Sequence, residues 1–307
     1  MRKAFISTLI ELAEDNPQIL LLTGDVGYTV LEPFLERFSN RFFNLGVAEQ
    51  NMVGVATGLA EAGFIPYLYS IAPFASLRPY EFIRNGPLLH KLPVRIVGIG
   101  GGFEYGINGL THFGLEDIGV MRIQPRMTVV IPADCEQTRN ALKATWDLPG
   151  PVYYRIGKDD KIIIPGLDGR FNLEHVQQIS EGDNLLFITM GSIASEVVEA
   201  TEVLATQNIS CSVVVVSAFN PAPIVDLVKI LSKFRIALTV EAHYTVGGLG
   251  SLVSEIVAER GIKCRIVRVG MKYMPDGFSG SQNYLYRRYG LSSKMLAKTA
   301  LRVYQEH

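Results

Sequence analysis

Short runs of apolar and β-branched residues recur from the start of the chain, at residues 19–22, 42–44, 65–69, 94–98, 128–131 and 152–155. Helix-compatible stretches separate them. Neighbouring as well as alternate positions in these runs are apolar, as in strands covered by helices on both faces, so a doubly wound, mainly parallel α/β sheet is expected over residues 1–158. From 159 to 181 the pattern lapses into Asp159-Asp160-Lys161, Pro165-Gly166 and Asp168-Gly169, which reads as a linker. A second alternation follows, with strands at 185–189, 211–216, 236–240 and 264–269 and helices near 194–206, 224–231, 249–259 and 293–304. It predicts a smaller α/β unit over residues 182–307.

Ligands of such sheets bind beyond the carboxyl ends of the strands. The loops expected there carry Gly24-Asp25, Leu45-Gly46, Tyr69-Ser70, the glycine-rich stretch 98–102 and Pro132-Ala133-Asp134. One of them, Asn44-Leu45-Gly46-Val47-Ala48-Glu49, leads from a short strand into a predicted helix over 49–62 that ends at Gly63. Gly54 and Gly58 lie four apart on that helix, so another backbone could approach the face closely, at about 1 kcal/mol of helix propensity per glycine. Taken alone, Glu49 is a first-turn glutamate of the kind the helix dipole favours.

Composition narrows the function classes. Of 307 residues, 48% are hydrophobic and 19% charged, and the net charge of −1 gives no electrostatic case for nucleic acid or an acidic membrane surface. No apolar run reaches membrane-spanning length. The start, Met1-Arg2-Lys3, enters an amphipathic pattern instead of a signal-peptide core, and Cys135, Cys211 and Cys264 are widely spaced within or beside apolar stretches. A cytoplasmic protein is expected on these grounds. The histidines at 90, 112, 175, 243 and 307 show no zinc-ligand spacing.

Gly46-Val47-Ala48-Glu49-Gln50-Asn51-Met52 resembles the pyrimidine-domain motif of transketolases and of 1-deoxyxylulose-5-phosphate synthases. Thr111-His112, followed by Glu116-Asp117-Ile118 and Met121-Arg122, resembles the substrate-loop segment of transketolases in order and spacing. The resemblance implies a thiamine diphosphate enzyme, with a pyrimidine-binding domain followed by a transketolase C-terminal domain. It makes Glu49 the catalytic partner of N1′ of the aminopyrimidine ring and Phe74 the aromatic stacked on that ring. It places Asp25 and Val26 beside the thiazolium, and Thr29 near the substrate. His112 would face the thiazolium, binding sugar hydroxyls and moving protons, a task that suits imidazole. Arg2 and Arg155 would hold a substrate phosphate, which a planar guanidinium grips well. Asn108 occupies a substrate-channel position that is usually acidic in transketolases, and Phe113 one that is usually glutamine. These departures bear on which sugar is used.

Transketolases hold Mg²⁺ and the cofactor diphosphate with a Gly-Asp-Gly motif, and this sequence has none. The resemblance therefore covers the C-terminal two-thirds of a single-chain transketolase. It implies an N-terminal transketolase subunit that brings the diphosphate and Mg²⁺ site, within a heterotetramer acting on sugars or sugar phosphates. The expected reaction is transfer of a two-carbon ketol unit from a ketose to an aldose. Two alternatives stand beside it: the β subunit of a 2-oxo acid dehydrogenase, and a scaffold subunit without catalysis.

Overall fold

The computed structural model describes residues 1–306. Its strands are β1 (Ile19–Thr23), β2 (Phe42–Asn44), β3 (Ile65–Ile71), β4 (Arg95–Ile99), β5 (Thr128–Val130), β6 (Val152–Ile156), β7 (Gln177–Ser180), β8 (Leu185–Thr189), β9 (Cys211–Val215), β10 (Ala218–Asn220), β11 (Ile236–Tyr244) and β12 (Arg265–Met271). They form a seven-stranded sheet in the order β10-β5-β6-β4-β3-β1-β2 and a five-stranded sheet in the order β12-β11-β8-β9-β7. Every residue of β1, β4, β6, β8 and β9 is buried, which is why these runs read as continuously apolar and not as alternating. All strand pairs are parallel except β10 with β5 and β7 with β9. The α/β class with mostly parallel sheets is as the sequence predicts.

Both exceptions escape sequence reading, because they are short and carry polar residues. The stretch 159–181 is also more than a tether. Ile164 and Leu167 are buried against Ala133, Ala194 and Val215, and its last residues form the edge strand β7. β10, which follows β9 directly, crosses back to become the outer strand of the first sheet.

One apolar core runs through both halves. It joins Leu22, Met52, Leu68 and Ile96 of the first unit to Leu186, Ile188, Val214 and Leu249 of the second. The predicted helix after Leu45-Gly46-Val47 is found at Glu49–Glu61, with Gly63 at φ +91° just beyond it. Glu49, Met52, Val53, Ala56 and Ala60 form its buried stripe. Gly54 and Gly58 lie on the opposite, exposed side, where an added Cβ would meet nothing within 4 Å. Among the described residues no helix is long and apolar enough to cross a membrane.

Candidate active site

At the carboxyl ends of β1, β2 and β3, backbone and side chains converge on one carboxylate. Glu49 begins its helix with its side chain turned inward and only 2% exposed. Ser70, in β3, donates its hydroxyl to Oε1 at 3.1 Å, and Arg78 donates Nη1–H to Oε2 at 2.9 Å. A Cβ at Gly24 would lie 3.5 Å from Glu49 Oε1 and 3.3 Å from the Gly46 carbonyl oxygen, so glycine at the end of β1 leaves this carboxylate room.

β3 runs directly into the short helix Ala72–Ser76, which has a proline in its first turn and carries Phe74. The Phe74 ring meets the imidazole of His112 edge-on, with centroids 5.0 Å apart. Its face is covered by the Arg78 guanidinium, with Cζ 3.8 Å from the ring centroid. The four-residue spacing brings Arg78 back over Phe74. His112 takes a 3.0 Å hydrogen bond between Nδ1 and the Thr111 hydroxyl, and Tyr105 lies on its other side at 6.2 Å. Partial burial, reinforced by the positive charge of Arg78, pushes the His112 pKa below its ordinary value and favours neutral imidazole.

The structure thus brings Glu49, Phe74 and His112 together, and adds Arg78 and Ser70. Sequence reasoning gave these last two no role. The signal for Arg78 was its spacing from Phe74.

Asp25 stands at the rim with φ +59°. Its carboxylate accepts from Asn44 Nδ2 at 3.0 Å and from the Tyr28 hydroxyl at 2.7 Å, and these bonds hold its pKa below the usual carboxylate range. Asn44 Oδ1 in turn accepts from the backbone N–H of Asp25 and of Gly46, stitching the loop after β1 to the turn before Glu49. Val26 accepts from the Thr23 hydroxyl through its carbonyl, while Thr29, at φ +65°, is exposed and held by an N–H bond to Glu32. Asn108 lies exposed in the loop that leads to His112.

The two arginines expected to hold phosphate are engaged elsewhere. Arg155 is 7% exposed and donates from Nη2 to the carbonyls of Gly114 (2.7 Å) and Ala242 (2.8 Å), with Nε 3.4 Å from Asp117. A Cβ on Gly101 would sit 1.8 Å from its Nε. It is boxed in at the joint between the two units, with its donors turned to protein partners. Arg2 bonds the Lys158 carbonyl and lies 3.6 Å from Asp160, outside the Glu49 cluster.

A buried carboxylate beside an aromatic face and a neutral imidazole, set at strand ends, can share a proton with a flat, ring-stacking heterocycle and move a second proton nearby. Residues 1–160 match the family described as transketolase, pyrimidine binding domain, and residues 174–296 match transketolase, C-terminal domain. The chain belongs to the transketolase family. It is 36% identical to a putative transketolase C-terminal section of Methanocaldococcus jannaschii, over 97% of this chain and 94% of that one. It is 32% identical to one subunit of an apulose-4-phosphate transketolase of Phocaeicola vulgatus, over 98% of this chain and 96% of the relative. Among solved structures, a split gene transketolase described as an inactive beta4 tetramer superposes with a TM-score of 0.88 at 32% identity, covering 99% of this chain and 97% of its own.

Proposed function

We propose that this chain is the C-terminal subunit of a split transketolase and supplies the aminopyrimidine half of a thiamine diphosphate site. Residues 1–158 would act as the pyrimidine-binding domain and 182–307 as the C-terminal domain. The observation that carries the reading is Glu49, buried at the strand ends with Phe74 and His112 gathered beside it. The names of the relatives, a C-terminal section, a transketolase subunit and a split gene product, support a separate subunit holding the diphosphate and Mg²⁺. The exposed glycine face of Glu49–Glu61 is the surface offered to it.

The residues present fit the cofactor. Phe74 offers a flat apolar face, already covered by a planar cation, and Glu49 turns a buried oxygen toward the same place. When bound, thiamine diphosphate supplies the nucleophilic carbon and the electron sink for cleaving the bond next to a ketose carbonyl. Glu49 holds a proton shared with the ring nitrogen. Phe74 fixes the plane of the ring, and the neutral His112 accepts a proton from a donor hydroxyl and returns it after transfer to the aldose. Asp25, Val26, Thr29 and Asn108 would border the path by which the sugar reaches them.

The test uses the chain reconstituted with its partner subunit. Glu49→Ala is expected to lower aldose-dependent cleavage of a ketose by at least about 10²-fold. Full ketol transfer by that variant, or release of CO₂ from 2-oxo acids in its place, would overturn the proposal.

A further inference from the structure

Arg78 has the three properties that the site asks of an aminopyrimidine: it is planar, it stacks on Phe74, and it donates an N–H to Glu49. Its guanidinium carbon lies 3.8 Å from the ring centroid while Nη1 is 2.9 Å from Oε2. One flat group can cover that ring face and bond that oxygen at a time. Resting on the functional reading above, we infer that Arg78 is a displaceable occupant of the aminopyrimidine seat, which pairs with Glu49 in the empty chain and is expelled when the cofactor enters.

The asymmetry of the ion pair supports this role. Glu49 is 2% exposed whereas Arg78 is 42% exposed, so the carboxylate is fixed and the cation can leave toward solvent. A buried carboxylate without a donor is costly, and Ser70 alone reaches only Oε1. Arg78 meets that need without closing the site permanently, because a half-exposed ion pair is a weak bond to break. Arg155 makes the contrast: it is 7% exposed and bonded to two carbonyls and a carboxylate. Arg78 is therefore a positioning residue that acts through Glu49. It keeps the carboxylate oriented for the ring that replaces it, and cofactor affinity carries the cost of its removal.

The experiment measures binding of thiamine diphosphate, with excess Mg²⁺, to the complex with its partner subunit. Arg78→Met, which keeps the stem but loses the charge and the plane, is expected to bind about tenfold more tightly, through faster association. Arg78→Lys, which keeps the charge but not the plane, is expected to fall between Met and arginine. The gap between arginine and methionine should narrow as salt rises from about 50 mM to about 500 mM, since screening weakens the pair that must be broken. Equal or weaker binding by Arg78→Met overturns the inference, as does a gap that salt leaves unchanged.

A second measurement needs no cofactor. In the full chain alone, Arg78→Met is expected to lower Tm by about 2 °C, and to have almost no effect in a Glu49→Gln background. Equal losses in both backgrounds would also overturn it. If neither wild type nor variant binds the cofactor in the complex while the coupling between positions 78 and 49 is present, the functional reading fails and the ion pair stands.

Discussion

Two places in this molecule gather a buried carboxylate, an arginine and a histidine, and they are built in opposite ways. At the strand ends, Glu49 is met by one serine and one half-exposed arginine, and the His112 ring hydrogen-bonds the neighbouring Thr111 hydroxyl. Between the two units, Glu241 and His243 lie beside Arg155 and Asp117, and Glu241, His243 and Arg155 are each turned to buried backbone partners, while Asp117 accepts from the Tyr153 hydroxyl through Oδ2. Glu241 accepts the backbone N–H groups of Leu249 and Gly250 at the start of the helix Leu249–Arg260. His243 accepts from Gly119 N–H at Nε2 and places Nδ1 2.7 Å from the Tyr244 carbonyl, a pattern that requires the neutral ring. Although Glu241 and His243 approach to 3.8 Å, burial drives both toward neutrality, raising Glu241 to about 7 and lowering His243 to about 4. Charge in a closed set of backbone partners joins two domains. Charge with one removable partner leaves a place for a ligand.

The sharpest break between the two would come from paired arginine substitutions. Arg155→Met should cost about 3–5 kcal/mol in chemical denaturation, because it removes the cation beside the buried Asp117 carboxylate and the donor shared by two buried carbonyls. Arg78→Met should cost about 1 kcal/mol or less. Equal losses would erase the distinction.

Next in size, His112→Ala should reduce kcat of the reconstituted enzyme by about 10²-fold, with the thermal midpoint within a degree or so of wild type. The steady-state rate and a melting curve together check it.

The joint should also answer to pH. Glu241 has a raised folded pKa, so its contribution is fully present below its unfolded pKa and is lost as pH climbs through about 7. His243 has a depressed folded pKa, so its contribution is present above its unfolded value and is lost as pH falls through about 4. Between about pH 5 and about pH 6.5 the two slopes oppose and nearly cancel, so melting temperature should change little there, and Glu241→Gln should unmask a rise with pH from His243. A flat profile in the variant would place the titration elsewhere.

The smallest effect expected is a gain. Gly54→Ala adds a methyl to open space on a helix, so the chain alone should be stabilised by about 1 kcal/mol, while its association with the partner weakens. Unchanged association would move the contact surface off this face.

The sequence made the buried strands legible because their residues are apolar on both faces, and it put Glu49 at the start of a helix, but the role expected of Glu49 came from resemblance. Phe74 and His112 came from resemblance, and the structure places them together. What sequence could not reveal was the direction a side chain takes. Arg155 looks like a phosphate ligand in Tyr153-Tyr154-Arg155, yet the strand aims it into the joint, where Gly101 and Ala242 close over it. Arg78 lay in plain view, but only the short helix Ala72–Ser76 reveals that four residues return it to Phe74. β7 and β10 were missed because their residues satisfy an edge, where polar side chains are tolerated.

The crossing of β10 back to the first sheet has a consequence for how the chain is made. During synthesis β5 emerges long before residues 218–220, so the first sheet waits with one border uncovered while the second unit is still being translated. A truncation near residue 160 would keep Glu49, Phe74 and His112 yet leave the Thr128–Val130 border bare and ready to pair with another molecule. The half of the chain that carries Glu49 is therefore finished by its other half, and expressing it alone should yield aggregates instead of a folded fragment.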